Sequence, residues 1–482
     1  MQNSSELIDL PRSESIAASP PASIPRIASG RNIDVWEVEN PVFWRTAGEK
    51  IAHRNLVFSI FAEFLAFSVW QMWSAVAVQL PRIGFPFDLN QLFWLTALPG
   101  LTGATLRLPY AFLVPVVGGR NWTLISTALL LLPAAGIGYA IQHPDTPYFV
   151  FLILALLCGF GGGNFASSMA NINYFFPEKR KGLALGLNAA GGNIGVSVVQ
   201  FIVPTIISFS IFGSMGGHPV TVSSSSGNSY IWLQNAALLW IPFILLALGT
   251  TWFFMNNLTV AKTSIRFQLR MFSERHTWLM SVLYMGTFGS FIGYSAGFPL
   301  LIQSQFPGVN AFHYSFIGPL IGSLSRPLGG WLADRAGGAK VTFWNFISMI
   351  FASAGALYFL ASRENPDAFV GFFSAFLVLF FCAGIGNGST YRMIPSIFLS
   401  KNRAGGNSSE EAAKIANRQA GAVVGITSAI AAYGAFFIPK SFGTSIALTG
   451  KPVAALFLFL TFYVLCAVLT LRFYLKKGET RL

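Results

Sequence analysis

The sequence carries little charge for its length, and acidic residues are its scarcest charged type. Charged residues make up 10% of the 482 positions, where soluble proteins have about a quarter, and only 18 residues are Asp or Glu. Hydrophobic residues make up 53%. A chain of this composition cannot keep its whole surface hydrated, because too few polar groups are available to cover it. A soluble globular protein is therefore excluded, and the lipid bilayer is the expected solvent.

Cysteine and histidine are also rare, which limits the chemistry that the chain can perform. Cys158, Cys382 and Cys466 fall in apolar segments and have neither a disulfide framework nor metal-ligand spacing. None of the five histidines lies in the middle of an apolar run, and no nucleophile–base arrangement or phosphate loop is present. We therefore expect no metal, no cofactor and no enzymatic activity. A membrane-bound sensor or enzyme is the alternative class, and it has no support in these residues.

Long apolar runs occupy most of the chain. We predict twelve transmembrane helices, each long enough to cross a hydrocarbon core of roughly 30 Å. Their approximate ranges are 55–80, 90–117, 121–142, 147–176, 181–209, 230–255, 277–303, 310–335, 340–361, 368–398, 418–440 and 452–475. The fold class is thus an all-α membrane protein.

The net charge of +13 is unevenly distributed along the chain. Most of the 31 Lys and Arg residues lie in the termini and in the connections that fall on the same side as the termini. The opposite side has only Arg82, Arg363, Lys440 and Lys451. Basic residues concentrate on the cytoplasmic side of membrane proteins, so both termini are expected to be cytoplasmic. The basic charge is explained by topology, and no nucleic-acid partner is implied.

The second and eighth predicted helices share one pattern. When Arg107 is placed over Arg326, Gly103 falls on Gly322, and the pair Gly118-Gly119 falls on Gly337-Gly338. This correspondence predicts two pseudo-symmetric six-helix bundles related by a parallel repeat, as in many secondary transporters. The expected organisation is a disordered cytoplasmic tail at 1–50, an N-terminal bundle at 51–255, a cytoplasmic linker at 256–276, and a C-terminal bundle with a short tail at 277–482.

Arg107 and Arg326 are predicted to lie near the bilayer midplane. Each has eleven residues of helix left before the cytoplasmic Gly-Gly turn, which corresponds to about 16 Å at 1.5 Å per residue. A charged side chain at that depth is costly unless it has a partner or a wet cavity. Of the acids, Glu63 in the first helix is the clear intramembrane one. Two arginines with so little compensating charge predict a site that an anion completes, and the forked guanidinium donors suit a planar oxyanion.

Small residues and a few aromatic or amide side chains occupy the helices expected around these arginines. The fourth helix contains CGFGGGNFASSMANINYFF and the fifth GLALGLNAAGGNIGVS, so these helices can approach closely. Phe165 can stack on a flat ion, and Asn193 can donate a hydrogen bond to it. Tyr284 in the seventh helix and Tyr391 in the tenth face the same region across the pseudo-symmetry axis. Packing alone is the alternative role for each of these residues.

Two stretches carry a resemblance to a known family. Gly330-WLADRAGGAK resembles the gate motif of the major facilitator superfamily, and GGGNFASSMANINYFFPEKRKGLALGLNAAGGNIG resembles the nitrate signature of its nitrate/nitrite porters of NarK type. The stretch from Gly425, ITSAIAAYGAFFIPK, is similar to the second signature more loosely, with Ala431 and Ala432 where that signature is richer in Gly. The similarity extends from about residue 41 to the C-terminus.

The resemblance implies the substrate and the role of each site residue. It implies nitrate and nitrite as transported ions, with Asp334 and Arg335 locking the cytoplasmic gate. It also implies localisation in the bacterial cytoplasmic membrane, and we expect a monomer. The residues that the resemblance assigns to substrate binding are Arg107, Arg326, Phe165, Asn193, Tyr284 and Tyr391.

Glu63 leaves the coupling mechanism open. If its carboxyl does not reach the cavity, closure around two unpaired arginines is costly, and nitrate/nitrite exchange is expected. If it reaches the cavity, it can pair with an arginine and take up a proton when nitrate binds, which predicts nitrate–proton symport. Transport of another small anion, such as formate or chloride, is a third possibility. Arg392, beside Tyr391, either lines the cytoplasmic half of the path or extends to the membrane surface.

Overall fold

Twelve long helices form the structure, a computed structural model that describes residues 27–28, 31–224, 227–259, 265–406 and 408–476. A continuous core of buried apolar side chains runs through both halves of the molecule. The helices, numbered α1 to α12, are Pro41–Ile83, Leu89–Val117, Gly119–Ala140, Tyr148–Phe175, Glu178–Ile206, Asn235–Phe254, Arg275–Gln305, Ile317–Ala336, Gly338–Ala361, Ala368–Ala404, Ser409–Thr449 and Val453–Leu475.

The predicted all-α membrane fold is confirmed. Within the described residues, 11 helices are long and apolar enough to cross a membrane by length and composition. The remaining long helix, α8, falls short because its 20 residues include Arg326, Asp334 and Arg335. It nevertheless packs along α9 and α10, so it spans the same depth as its apolar neighbours.

Equivalent residues of the two halves adopt equivalent backbone conformations. The helix α2 packs along α4, and α8 packs along α10 in the same way. Gly118 separates α2 from α3 with φ 91° and ψ 142°, and Gly337 separates α8 from α9 with φ 91° and ψ 129°. A positive φ of this kind is strained for residues that carry a Cβ. The repeat seen in the sequence is therefore visible in the backbone at the turns that follow α2 and α8.

Two membrane helices are irregular close to the molecular centre. In α1 the regular helix Glu49–Trp70 ends at Gln71, and a new segment begins at Met72. In α7 the residues Met285–Gly289 form a π-helical turn. Such turns widen the helix locally and are frequent at functional sites. The π-helical turn shifts the register of the side chains that α7 presents on either side of it.

The N-terminal segment differs from the tail predicted at 1–50. Residues 1–26, 29 and 30 lie outside the described residues, but residues 31–50 are folded against the ends of α4 and α6. Strand β2 (Asn32–Ile33) pairs with β1 (Ile27–Ala28) and, in parallel, with β5 (Asn257–Leu258) directly after α6. The Trp36 indole donates a hydrogen bond to the carbonyl of Tyr174, and Ile33 is fully buried. The polar composition of this segment predicts disorder. The prediction fails because the segment folds against partners that are distant in sequence, which composition does not reveal.

Asn256 joins this segment to α1. Its side-chain oxygen accepts hydrogen bonds from Arg54 (2.8 Å) and Asn55 (3.1 Å), and its backbone N–H donates to the side-chain oxygen of Asn55 at 2.8 Å. Asn256 also donates to the carbonyl of Arg31 at 3.4 Å. A single buried amide therefore ties together the start of α1, the exit of α6 and the N-terminal segment.

Two further connections complete the described chain. On the face opposite the termini, strands β3 (Val220–Ser224) and β4 (Gly227–Ile231) form an antiparallel hairpin between α5 and α6. The predicted linker 256–276 includes β5, a short helix Ile265–Arg270 and a 3-10 turn Met271–Ser273, while residues 260–264 lie outside the described residues. Glu274 at its end forms an ion pair with Lys401 of α10 at 2.5 Å.

The two halves meet at the centre and toward the outer face. Ser197 of α5 donates a hydrogen bond to the carbonyl of Phe316 (2.9 Å), just before α8. Gln200 donates to the carbonyl of Ser295 in α7 at 2.7 Å. Thr105 of α2 is bonded to the Tyr433 hydroxyl of α11 at 2.9 Å. These contacts close the outer side of the interface between the halves.

Two glycines on the side of the termini have open space beside them. Gly186 lies two turns before Asn193 in α5, and Gly421 lies two turns before Ser428 in α11, so each shares a helix face with that residue. Apart from the adjacent backbone of its own helix, no described atom lies within 4 Å of a Cβ built on Gly186 or Gly421.

We predict that Asn256→Ala destabilises the protein. The substitution removes the acceptor of the half-buried Arg54 nitrogen and leaves the Asn55 amide with the carbonyl of Ile51 alone. An unpaired buried polar group costs about 1–3 kcal/mol. Thermal unfolding in detergent should show a clearly lowered Tm. Asn365→Ala is the matched control, because Asn365 is an exposed residue of the loop between α9 and α10. Equal Tm values for the two variants would contradict the role assigned to Asn256.

Candidate anion site

Arg107 lies at the centre of the molecule with no exposed surface. Its Nε donates to the carbonyl of Gly162 in α4 at 3.1 Å, and one terminal nitrogen donates to the carbonyl of Ser428 in α11 at 3.0 Å. The other terminal nitrogen, NH2, is buried and has no hydrogen-bond partner among the described residues. Arg107 therefore bridges the two halves and still has a free charged donor.

Glycine at two positions brings α4 close enough to accept from Arg107. A Cβ on Gly103 would lie 2.8 Å from Nε1 of Trp70, and one on Gly162 would lie 2.5 Å from Cε2 of the same indole. Because both residues lack a side chain, Trp70 packs between α2 and α4 and donates to the carbonyl of Pro99 at 2.8 Å. The glycine-rich run in α4 therefore serves the site by positioning a carbonyl and an indole.

Aromatic rings enclose the Arg107 guanidinium. Its central carbon lies 4.6 Å from the ring centre of Phe165, 4.9 Å from that of Phe288 and 5.5 Å from that of Trp70. Phe165 and Phe288 are nearly parallel, with centroids 6.0 Å apart and an angle of 22°. Ring faces attract a cation, and they exclude water from it. This enclosure strengthens the electrostatic attraction of Arg107 for an anion.

Arg326 lies across the interface, in the equivalent position of α8. It is 7% exposed, and its NH1 is buried without a hydrogen-bond partner among the described residues. Its central carbon lies 5.9 Å from the ring centre of Tyr391. The Tyr284 hydroxyl donates to the side-chain oxygen of Asn387 at 2.8 Å and interacts electrostatically with both Arg326 and Arg107. The structure thus brings both arginines and both tyrosines into one region.

Asn193 belongs to α5, which packs against α8 across the interface between the halves. It is buried, and neither its side-chain nitrogen nor its oxygen has a hydrogen-bond partner among the described residues. Buried polar groups are rarely left unpaired, and each such group calls for an explanation. Three unpaired donors, from Arg107, Arg326 and Asn193, are explained if a small acceptor binds between the halves. An ion with several oxygens in one plane offers such acceptors, and Phe165 offers a ring face.

Glu63 is buried among α1, α4 and α5. Its side chain packs against Gly192, where an added Cβ would lie 2.8 Å from its Cγ. The Ser168 hydroxyl faces it, yet neither carboxylate oxygen has a hydrogen bond within normal geometry in the described part of the chain. Glu63 and Arg107 interact electrostatically. The structure therefore places Glu63 inside the N-terminal half, next to Gly192 and within electrostatic range of Arg107.

The predicted gate residues lie at the C-terminal end of α8. Asp334 forms an ion pair with Arg392 of α10 at 2.6 Å, and both side chains are about half exposed. The Arg335 guanidinium packs over the Trp331 ring at 4.1 Å. Arg392 thus pairs with the motif carboxylate and does not lie in the central site. This exposed ion pair joins two helices of the same half, and such pairs contribute little to stability.

Some residues of the site were not assigned from the sequence. Phe288 and Trp70 pack on Arg107, and Asn387 accepts the Tyr284 hydroxyl. Asn387 follows the Gly-Ile-Gly run of α10, which corresponds to the glycine-rich run of α4, so the repeat contained a signal for it. Trp70 and Phe288 have no such signal, because the chain contains 47 phenylalanines and 12 tryptophans. Among the described residues, no cluster of three or more His, Cys, Asp or Glu side chains is placed to hold a metal.

Comparison with known proteins identifies the family. The family model of the Major Facilitator Superfamily matches residues 56–439 of this chain. The nitrate/nitrite transporter NarU of Salmonella typhimurium is 48% identical over 439 residues, which are 90% of this chain and 94% of that protein. The probable nitrate/nitrite antiporter NarK2 of Thermus thermophilus is 42% identical over 459 residues, or 94% and 99% of the two chains.

A solved structure supports the same fold. The crystal structure of a D-xylose–proton symporter superposes with a TM-score of 0.62 over 89% of this chain and 99% of its own, at 14% sequence identity. This similarity concerns the fold alone. Taken with the matches over most of the chain, it shows that the protein is a multi-pass membrane transporter, not an enzyme, and belongs to the nitrate/nitrite porters of NarK type within the major facilitator superfamily.

Proposed function

We propose that the protein exchanges nitrate for nitrite across the bacterial cytoplasmic membrane, with the anion bound between Arg107 and Arg326. The observation that carries the proposal is a pair of buried guanidinium nitrogens that have no hydrogen-bond partner in the described part of the chain, NH2 of Arg107 and NH1 of Arg326. The two side chains come from equivalent positions in opposite halves. An anion bound by both would join the halves and neutralise both charges.

The remaining side chains are assigned by the groups that they offer. Phe165 stacks on the plane of the ion. In the structure, its ring is stacked on the ring of Phe288. Asn193 donates an amide hydrogen to one oxygen of the ion. The Tyr284 hydroxyl, which donates to Asn387 in the structure, donates to the ion instead. Tyr391 closes the side near Arg326. Nitrate and nitrite are planar and singly charged, so this set of donors and ring faces suits both ions.

Exchange follows from the energy of the buried charges. Removing one partner from a buried charge pair costs about 3–5 kcal/mol, because the remaining charge is left unpaired. Between an inward-open and an outward-open form, the halves pass through a form closed to both faces, in which both arginines stay buried. With an anion bound, the charges are compensated and the movement is allowed. Without a bound anion, the movement of the halves is slow. After an anion is released on one side, another anion must therefore bind before the protein can return to the first form.

The direction of the molecule in the membrane follows the charge distribution. The basic connections assign both termini to the cytoplasm, and the space near Gly186 and Gly421 then opens toward the cytoplasm. The outer contacts of Ser197 and Gln200 would break in the outward-open form. A rocking movement of α1–α6 against α7–α12 about the central site would alternate the two openings.

Nitrate–proton symport is a second candidate, and the position of Glu63 favours it. Its carboxyl group is buried, lacks a hydrogen-bond partner in the described residues and interacts with Arg107. A carboxylate in that place can compensate Arg107 when no anion is bound, and can be protonated when nitrate takes its place. Exchange remains the first candidate because a relative that is 42% identical over most of the chain is described as a probable nitrate/nitrite antiporter. We also expect small planar oxyanions to compete better than halides.

We predict that Arg107→Lys and Arg326→Lys each impair transport strongly. Lysine keeps the charge but loses the forked donors, and one charged hydrogen bond is worth about 1.5–3 kcal/mol, or roughly a 10- to 100-fold rise in KM. Nitrate uptake by purified protein in liposomes measures the effect. Arg363→Lys, in the loop between α9 and α10, is the control and should leave KM unchanged. Near-normal uptake by either site variant would refute bidentate binding of the anion by the arginine at that position.

We predict that nitrate uptake depends on nitrite inside the vesicle. The cost of closing around unpaired arginines should slow uptake into nitrite-free liposomes by about 100-fold or more. A pH gradient alone should not drive accumulation. Glu63→Gln, which keeps the shape and removes the charge, should retain exchange with internal nitrite. If a pH gradient drives nitrate accumulation in the native protein and Glu63→Gln abolishes only that activity, symport replaces exchange as the function.

A further inference from the structure

A cavity of about 620 Å³ opens on the outer face, between the two halves. The end of α1 supplies Gln79 and Arg82, and the end of α5 supplies Phe201 and its neighbours. The loop before α8 contributes Asn310, His313 and Phe316, and strand β4 of the hairpin covers one side with Tyr230 and Ile231. This outer cavity is separate from the central site, because the contacts of Ser197 and Gln200 lie between them.

The polar groups of the outer cavity favour an anion. Arg82 donates to the side-chain oxygen of Gln79 at 3.1 Å, which fixes its guanidinium at the cavity wall without neutralising it. The Asn310 amide lies 3.4 Å from the His313 ring, so two further nitrogen groups share the opposite wall. None of the described residues that line the cavity is Asp or Glu. The wall thus contains a fixed positive charge and no acid.

The outer cavity lies on the line that leads to the central site. Its lining includes Phe201, which is 58% exposed, and Phe316, and the centroids of these two rings are 4.9 Å apart. Phe201 follows Asn193 by eight residues of α5, or about 12 Å. Phe316 precedes Arg326 by ten residues, or about 15 Å along α8. Parting of these two rings would therefore join the outer cavity to the anion site.

We propose that the outer cavity is a docking site where the transported oxyanion is collected by Arg82 before it enters from the outside. This inference rests on the proposed function and adds a second anion site to it. A cleft with one sign of charge raises the local concentration of the opposite ion and its association rate. Arg82 is largely exposed, so the site acts by weak electrostatic attraction and releases the ion readily. The site serves traffic from the outer face only.

The test measures nitrate transport separately from each face. Right-side-out and inside-out membrane vesicles carrying internal nitrite are prepared from cells that express the full chain. When nitrate is added at the outer face, Arg82→Gln should raise the KM for nitrate about three- to tenfold at low ionic strength and leave kcat unchanged. The rise should shrink when potassium gluconate brings the ionic strength from about 0.01 M to about 0.15 M, because the Debye length falls from about 30 Å to about 8 Å. With nitrate at the cytoplasmic face, KM should not change.

Arg363→Gln is a matched control for this test. Arg363 also lies on the outer face and donates to a glutamine oxygen, that of Gln305 at 3.3 Å, but it does not line the cavity. Its loss changes the net charge equally and should leave KM unchanged. Ser208→Asp, which adds a negative charge to the exposed cavity wall, should raise the outer KM as Arg82→Gln does. Arg82→Lys should restore most of the native KM.

Three results would overturn the docking site while leaving the proposed function intact. They are an outer KM unchanged in both Arg82→Gln and Ser208→Asp, equal rises of KM at both faces, and an equal rise in Arg363→Gln. Native vesicles that transport neither nitrate nor nitrite would overturn the proposed function and the docking site together. If Arg82→Gln does not fold, Ser208→Asp and its salt dependence decide the question.

Discussion

The structure depends on two positive charges buried at the centre of a chain that has almost no acid to compensate them. Arg107 spends two of its donors on backbone carbonyls, one in each half, and keeps a third without a partner. Arg326 keeps a terminal nitrogen in the same condition. Inserting an arginine at mid-membrane depth costs about 2.5–3.5 kcal/mol even on mild scales, so such residues persist where they serve a function. The rest of the fold positions these charges and keeps water and lipid away from them.

Small residues make this arrangement possible. Where α2 meets α4, the absence of side chains at Gly103 and Gly162 admits the Trp70 indole and brings a carbonyl to Arg107. The halves then meet through close helix packing, with Gly100 of α2 against the Ala435 backbone of α11, and through a few hydrogen bonds and ring contacts. The hydrogen bonds and ring contacts can be exchanged for equivalent ones on the opposite side. A fold that must open alternately to both faces needs an interface that is specific at its centre and replaceable at its edges.

Much of the fold was predictable because lipid imposes strict rules on sequence. Apolar runs of 20 or more residues located the helices, and the distribution of Lys and Arg assigned their direction. The offset between Arg107 and Arg326 predicted a repeat, and Gly118 and Gly337 have the same positive φ. Predictions failed where tertiary contacts decide the outcome. The segment from Arg31 onward is polar and was predicted to be disordered, yet it pairs with a strand more than 220 residues away.

The sequence by itself determined the family, the number of helices and the two arginines, because each of these leaves a local or periodic mark in the chain. The tertiary structure decided which donors lack a partner among the described residues, which rings enclose Arg107, and that Arg392 pairs with Asp334 at the end of α8. It also placed Glu63 against Gly192 of α5. These features depend on the relative rotation of helices that are far apart in the chain. No spacing along the sequence records that rotation, since it is set by packing between side chains of different helices.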